Sequence, residues 1–249
     1  MEWIEQFYTE QFKMSYMEKN ELKIQNYHVE QLEKLEKHAN KPMKKLLELG
    51  AGKGELAILA AKKGYEVTAV ELVPSLVEQT IELQNMYGIT ENFQSICGDF
   101  YEIVLDDFFD LVYYMDGFGI GTDNDQIKLL KRIHHWLKPN GTALIDIYTP
   151  WYWSKTAGQV MTFNNFTRKY DFDFHHNRML DTWINKQNER FTQSLRCYSP
   201  ADLEIILYGT GLKLDSIVPG GTMNYESNEY IENAELGEAM MYMAKLVKV

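Results

Sequence analysis

The sequence predicts an α/β fold in which a mostly parallel sheet carries helices on both faces. Three observations support this. Short apolar strands alternate with helical segments from residue 44 to residue 148. Those strands are nearly continuous in apolar residues, as strands covered on both faces are. A glycine turn leads from the first strand into its helix, and strands joined through helices run parallel.

Residues 1–40 precede this unit and read as helical. Ile24, Tyr27, His28, Gln31, Leu32 and Leu35 fall at helical spacing, with Glu and Lys opposite. Trp3, Phe7 and Met14, beside Ile4, Tyr8 and Phe12, give the first segment a large apolar surface. Residues 46–49 form a short buried strand, and 55–63 a helix ended by Gly64. A second strand covers 66–71, and Pro74 opens a helix to about Tyr87. The third strand covers 93–97 and the fourth 110–115. Ile127, Leu130, Ile133 and Leu137 mark the next helix, closed by Pro139-Asn140-Gly141 before a fifth strand over 142–148.

Residues 149–198 break the rhythm. Tyr170, Phe172 and Phe174 alternate with Asp171, Asp173 and His175, which predicts a strand over 168–176, partnered by 190–198. The core pattern then resumes. Ser199-Pro200-Ala201-Asp202 starts a helix, with Ser199 as cap and Asp202 at the reciprocal position. Strands over 212–218 and 239–247 follow. The expected organisation is one domain: helices over 1–40, a core over 41–148, an inserted antiparallel lid over 149–198, and the end of the core over 199–249.

Composition narrows the function. The chain has 249 residues, 45% of them apolar, and a formal net charge of −11, so it is expected to fold around a sizeable core. Nucleic acid is not expected as a partner, because phosphate binding needs a basic stripe and only short runs such as Lys44-Lys45 and Lys62-Lys63 occur. Cys97 and Cys197 fit two free thiols in a reducing compartment. The first residues carry charges and are not expected to act as a signal peptide, and no apolar run nears the roughly 20 residues that span a bilayer. A soluble cytoplasmic protein with no membrane association is the expectation.

The strongest motif is Glu48-Leu49-Gly50-Ala51-Gly52-Lys53-Gly54. Glycines here permit unusual backbone angles and let a ligand lie on bare main chain, while the following helix offers unpaired N–H donors. The G-x-G-x-x-G dinucleotide fingerprint would need Gly or Ala at position 55, where this chain has Glu55. The third glycine is Gly54 instead. Glu71 ends the second strand, 19 residues after Gly52, where an acid can accept two ribose hydroxyls. Asp99-Phe100 follows the third strand.

Taken together, the E-x-G-x-G-x-G run, Glu71 and Asp99 resemble the Rossmann-like (class I) S-adenosylmethionine-dependent methyltransferases of small-molecule type. The resemblance covers residues 44–148 in order, and Arg196-x-Tyr198-Ser199-Pro200 more loosely. It implies a seven-stranded sheet with its last strand antiparallel, and S-adenosylmethionine as cofactor. The implied cofactor residues are Glu48, Gly50, Ala51, Gly52, Gly54, Glu71, Leu72, Asp99, Phe100, Met115 and Asp116. Asp99 would take the adenine amino group, Phe100 N–H a ring nitrogen, and Glu48, Gly50 and 115–117 the methionine tail. For Asp116, tail binding, substrate binding and ordinary turn chemistry stay open.

The implied reaction moves a methyl group to N or O of a small molecule by in-line displacement, which needs no covalent residue. The sequence accordingly advertises no catalytic one. His134 and His135 sit at surface and boundary positions of a helix, and His28 on an amphipathic one. His175 shares a strand face with Asp171 and Asp173. Trp151 and Tyr152, with His175, are the candidate substrate contacts, since ligands of open α/β sheets bind beyond the carboxyl ends of the strands. Folding of the first helix over the site would bring Tyr8 and Tyr16 to the cofactor. No Cys/His spacing suits a metal, and Asp106, Asp107 and Asp110 are interleaved with Phe108 and Phe109. Two other readings stay open: a nucleoside-binding regulatory or scaffolding subunit without transfer activity, and, disfavoured by Glu55, an NAD-dependent oxidoreductase.

Overall fold

The computed structural model of the protein describes residues 2–16, 22–224, 227 and 229–249. Two helices come first, α1 (Glu2–Tyr16) and α2 (Asn26–His38). Strand and helix then alternate: β1 (Lys45–Leu49), α3 (Glu55–Lys62), β2 (Glu66–Glu71), α4 (Pro74–Met86), β3 (Phe93–Cys97), β4 (Phe109–Tyr114), α5 (Asp123–Trp136) and β5 (Leu137–Tyr148). The insertion holds α6 (Pro150–Lys155), β6 (Val160–Thr162), β7 (Phe166–Asp173), β8 (Arg178–Asn185) and β9 (Arg190–Arg196). The chain finishes with α7 (Pro200–Leu207), β10 (Leu212–Pro219), β11 (Thr222–Asn224), β12 (Glu229–Ile231) and β13 (Met241–Lys248).

The main sheet has seven strands in the order β10-β13-β5-β4-β1-β2-β3. Strands β1 to β5 pair in parallel, and β13 runs antiparallel to both β5 and β10. This is the sheet that the family resemblance implies. Alternate side chains of the central strands enter two cores. Leu46, Tyr113, Leu144 and Met243 pack with Leu32 and Leu35 of α2 and Leu56, Ala57 and Ala60 of α3. Leu47, Val112, Ala143 and Ile145 pack on the other face with Leu130 and Ile133 of α5 and Leu203 and Ile206 of α7. Strand order reverses between β1 and β4, and ligands of open α/β sheets bind at such a switch point.

Three local expectations are corrected. Helix α5 starts at Asp123, capped by Thr122 and Asp125, and Pro139-Asn140-Gly141 lie inside β5. The register shows how: β4 advances from Phe109 to Leu111 while β5 advances from Leu137 to Thr142, so the turn residues bulge out of an otherwise continuous strand. In the insertion, 190–196 does not pair with β7. Strand β8 lies between them, in a four-stranded antiparallel sheet ordered β6-β7-β8-β9. Phe174 falls outside β7 and is exposed, whereas Tyr170 and Phe172 are buried as expected.

The inserted sheet docks through a shared apolar cluster. Tyr170, Phe172, Met179 and Leu195 meet Ile4 of α1, Ile120, Tyr148, Tyr152 and Trp153. Main-chain contacts reinforce this: Arg196 N–H donates to Gly119 carbonyl at 2.9 Å, and Ile120 bridges to Leu195. Gly119 has φ of 111°, and an added Cβ would meet the Arg196 carbonyl, so glycine is required at this crossing. No helix among the described residues is long and apolar enough to cross a membrane.

Candidate active site

At the carboxyl ends of β1, β2 and β4 lies a cavity of about 460 Å³. Gly50, Gly52, Glu71, Leu72, Asp99, Phe100, Met115 and Asp116 line it, eight of the positions singled out above. Gly50 and Gly52 have φ of 64° and 58°, in the left-handed region that glycine enters without strain. A Cβ on Gly52 would meet nothing within 4 Å, so its main chain lies bare against the cavity.

Glu71 is buried at the strand end and holds the glycine turn from the side. Its Oε2 accepts Gly52 N–H at 2.8 Å and its Oε1 accepts Val73 N–H at 2.9 Å. A carboxylate has about four lone-pair sites, so two remain for a ligand. Burial pushes its pKa up, and the N–H bonds oppose that shift. Asp99 Oδ1 accepts Tyr101 N–H at 2.7 Å. Asp116 follows β4 with φ of 55°, a conformation Asp tolerates better than most residues. It opens onto the cavity but is enclosed by protein elsewhere, and that enclosure raises its pKa. The Tyr148 hydroxyl donates to its Oδ1.

Helix α1 forms the outer wall. Ile4, Glu5, Tyr8, Gln11 and Phe12 line the cavity, and Lys53 Nζ stands 5.5 Å from the Phe12 ring centroid, tying the helix to the glycine turn. The Tyr8 hydroxyl accepts from Gln193 Nε2 of β9 at 2.6 Å. The side chain of Tyr16 lies outside the described residues.

The other candidates sit elsewhere. Glu48 is buried behind the turn and does not line the cavity; its Oε2 accepts from the Tyr113 hydroxyl at 3.0 Å, and burial pushes its pKa up to about 8. Ala51 N–H donates to Val70 carbonyl at 3.0 Å, and Gly54 caps α3 at φ of 74° against Thr80. These three shape the turn from outside the cavity. Trp151 Nε1 donates to Leu236 carbonyl at 2.8 Å, and Tyr152 is buried edge-to-face on Trp153. His175 is exposed in the turn after β7. The structure brings none of these last three to the cavity lining. Among the described residues no group of three or more His, Cys, Asp or Glu is arranged around a metal site.

The residues present suit a nucleoside with an amino-acid tail: an acid with two free lone-pair sites, a second acid, and bare glycine main chain share one cavity. A family model described as a methyltransferase domain matches residues 46–141, the stretch that carries these groups. The matched stretch and the fold are those of a class I S-adenosylmethionine-dependent methyltransferase. The chain is similar to YqeM of Bacillus subtilis, named provisionally as a methyltransferase, with 29% identity over 111 residues; that match spans 42% of each protein. It is similar to the ubiquinone biosynthesis O-methyltransferase of Rickettsia typhi, with 23% identity over 87% of this chain and 79% of the relative. An S-adenosylmethionine-dependent methyltransferase from Clostridium acetobutylicum shares the fold, with TM-score 0.71 and 16% identity over 96% of this chain and 98% of that one.

Sequence reasoning missed several groups around the methyltransferase cavity. Tyr114 lies under Gly50, where a Cβ would meet its ring at 3.2 Å. Tyr148, at the end of β5, gives its hydroxyl to Asp116. Asp146 was passed over, although an acid within Leu144-Ile145-Asp146-Ile147 is a signal in itself, since acids are almost never fully buried without a partner.

Proposed function

We propose that this methyltransferase moves a methyl group to nitrogen or oxygen of a small molecule. The observation that carries this reading is the convergence of Glu71, Asp99, Gly50 and Gly52 on one cavity at the strand ends. When bound, S-adenosylmethionine supplies a methyl group on a sulfonium, activated for in-line displacement. Glu71 would accept the ribose hydroxyls on its two free lone-pair sites. Asp99 would take the adenine amino group and Phe100 N–H a ring nitrogen. The main chain of Gly50 and Gly52, with Met115 and Asp116, would hold the methionine tail.

The remaining work is positioning and exclusion of water. Ile4, Tyr8 and Phe12 of α1 close the outer wall, and residues 149–198 stand as a lid that sets acceptor choice. The cavity falls within the range of about 300–1,000 Å³ typical of small-molecule sites. Calorimetry with S-adenosylhomocysteine and with NAD tests the cofactor half: the first should bind and the second should not. Transfer of labelled methyl to amines, phenols and carboxylates tests the acceptor half. Preference for NAD, or absence of transfer to every acceptor class, would overturn the reading.

A further inference from the structure

A second group of polar atoms adjoins the cavity on the α2 side of the sheet, and the cofactor reading assigns them nothing. Asp146 lies on β5, two residues beyond Leu144, which packs in the α2 and α3 core. Alternation therefore places Asp146 on the same face, nearer the carboxyl end. Tyr113 pairs with Leu144, so the cavity-lining Met115 stands beside Asp146.

Asp146 is 5% exposed, and its Oδ1 has no hydrogen-bond partner among the described residues. The Gln31 Oε1 on α2 is buried and unpartnered in the same way, while its Nε2 donates to the Tyr27 hydroxyl at 2.9 Å. Burial, then the charges of Asp116 and Asp146, push the Tyr27 hydroxyl up to about 12. The Tyr230 hydroxyl on β12 is raised first by burial and then by the Glu232 charge, with Asp146 adding to both. Both tyrosine rings remain more than half exposed, at 59% and 58%. Lys34 is the positive group whose field reaches Asp146.

Both orphan atoms are acceptors, and a buried acceptor without a donor costs about 1–3 kcal/mol. A ligand that relieves them must donate N–H or O–H from more than one position. Two carboxylates favour a positive ligand, and half-exposed tyrosine rings favour organic cations through their faces. A carboxylate or phosphate ligand would meet repulsion there.

Resting on the reading that the cavity holds S-adenosylmethionine, we propose that the methyl acceptor is an amine, bound as its cation between Asp116 and Asp146. Gln31 takes one of its N–H groups, and Tyr27 and Tyr230 flank its carbon skeleton. For transfer the ammonium gives a proton to the Asp146 carboxylate, which passes it to water. The amine lone pair then forms the N–C bond as the C–S bond breaks, and the sulfur keeps that bonding pair as a neutral thioether. Burial pushes the Asp146 carboxyl up to about 7, which suits a group that accepts and releases a proton near neutrality.

The test is calorimetry on the full chain saturated with S-adenosylhomocysteine. The probes are two matched sets: benzylamine, benzyl alcohol and benzoate; tryptamine, tryptophol and indole-3-acetate. In at least one set the amine should bind about tenfold or more tighter than the alcohol, with the acid weakest. Asp146→Asn should abolish that preference with S-adenosylhomocysteine affinity held within about twofold. Gln31→Ala should weaken the amine roughly three- to tenfold. The proposal fails if an alcohol or acid matches the amine in both sets, if no amine binds, or if Asp146→Asn keeps the preference. Loss of S-adenosylhomocysteine binding by the parent protein would instead overturn the cofactor reading beneath it.

Discussion

Removing the Glu71 carboxylate should damage the protein twice. In Glu71→Ala the N–H groups of Gly52 and Val73 lose acceptors at 2.8 and 2.9 Å. A stranded buried donor costs about 1–3 kcal/mol, so a loss of roughly 2–4 kcal/mol of stability is expected, with water at the cavity recovering part of the Gly52 bond. The same change removes the acceptors for two ribose hydroxyls, worth about 1.5–3 kcal/mol each and less than additive, so S-adenosylhomocysteine should bind at least about tenfold more weakly. Glu71→Gln sharpens the test. Each carboxylate oxygen accepts a different N–H, so the amide NH2 of glutamine must face one of those donors. Glutamine should therefore behave much more like alanine than like the parent. Calorimetry, at a temperature where circular dichroism shows each variant folded, reads the binding term, and urea melts read the stability term. An unchanged dissociation constant in the alanine variant would refute the ribose role. Parent-like behaviour of the glutamine variant would refute the two-oxygen argument.

Two further predictions concern stability. The Glu48 carboxyl is raised by burial from 4.5 to about 8, so the fold binds its proton more tightly than the unfolded chain does; the stability it contributes is fully present below about pH 4.5 and lost as pH rises through about 8. Urea melts should show Glu48→Gln, which keeps an acceptor for Tyr113, gaining at least about 1.4 kcal/mol on the parent between pH 5 and pH 8, and equal slopes would refute the assignment. In the inserted sheet, Arg168 grips the fully buried Asp181 bidentately, with contacts of 2.6 to 3.0 Å, and lies over the rings of Tyr170 and Trp183. Arg168→Met or Asp181→Leu alone should cost about 3–5 kcal/mol and lower turnover with cofactor affinity kept, whereas the double variant should recover most of the stability; additive losses would refute the pairing.

What the sequence revealed follows how locally each feature is encoded. Gly50, Gly52 and Gly54 all take positive φ, a requirement that a few consecutive residues announce. Glu71 and Asp99 are legible because each ends or follows a strand whose apolar run is plain. Strand β8 escaped because its inward positions read Met179, Asp181, Trp183, and a buried acid breaks the apolar alternation. Its neutralising partner, Arg168, stands on the neighbouring strand, where no single-segment pattern can register it. Trp151 and Tyr152 misled for the related reason that aromatic residues near a site serve packing as readily as binding. Their contacts, with Leu236 and Trp153, are set by the return of the chain after residue 230 and by the helix itself. The short pair β11 and β12 offers only three residues per strand, too few for a period to show.

The two halves of the site therefore differ in kind. The proposed cofactor half stands on the ends of β1, β2 and β4, elements of the sheet. The proposed acceptor half is drawn from β5, α2 and β12, which meet only in the folded chain. Asp116 joins them. It takes the Tyr148 hydroxyl, feels the Arg168 charge, and its own charge reaches Tyr8, Tyr27 and Asp146. A change at Asp116 must disturb both halves at once, so it cannot separate methyl donor from methyl acceptor. Gln31, Tyr27 and Tyr230 are outside the cavity lining and partly exposed. Changes there leave the glycine turn and Glu71 untouched, and acceptor choice can shift at those positions while the cofactor stays bound.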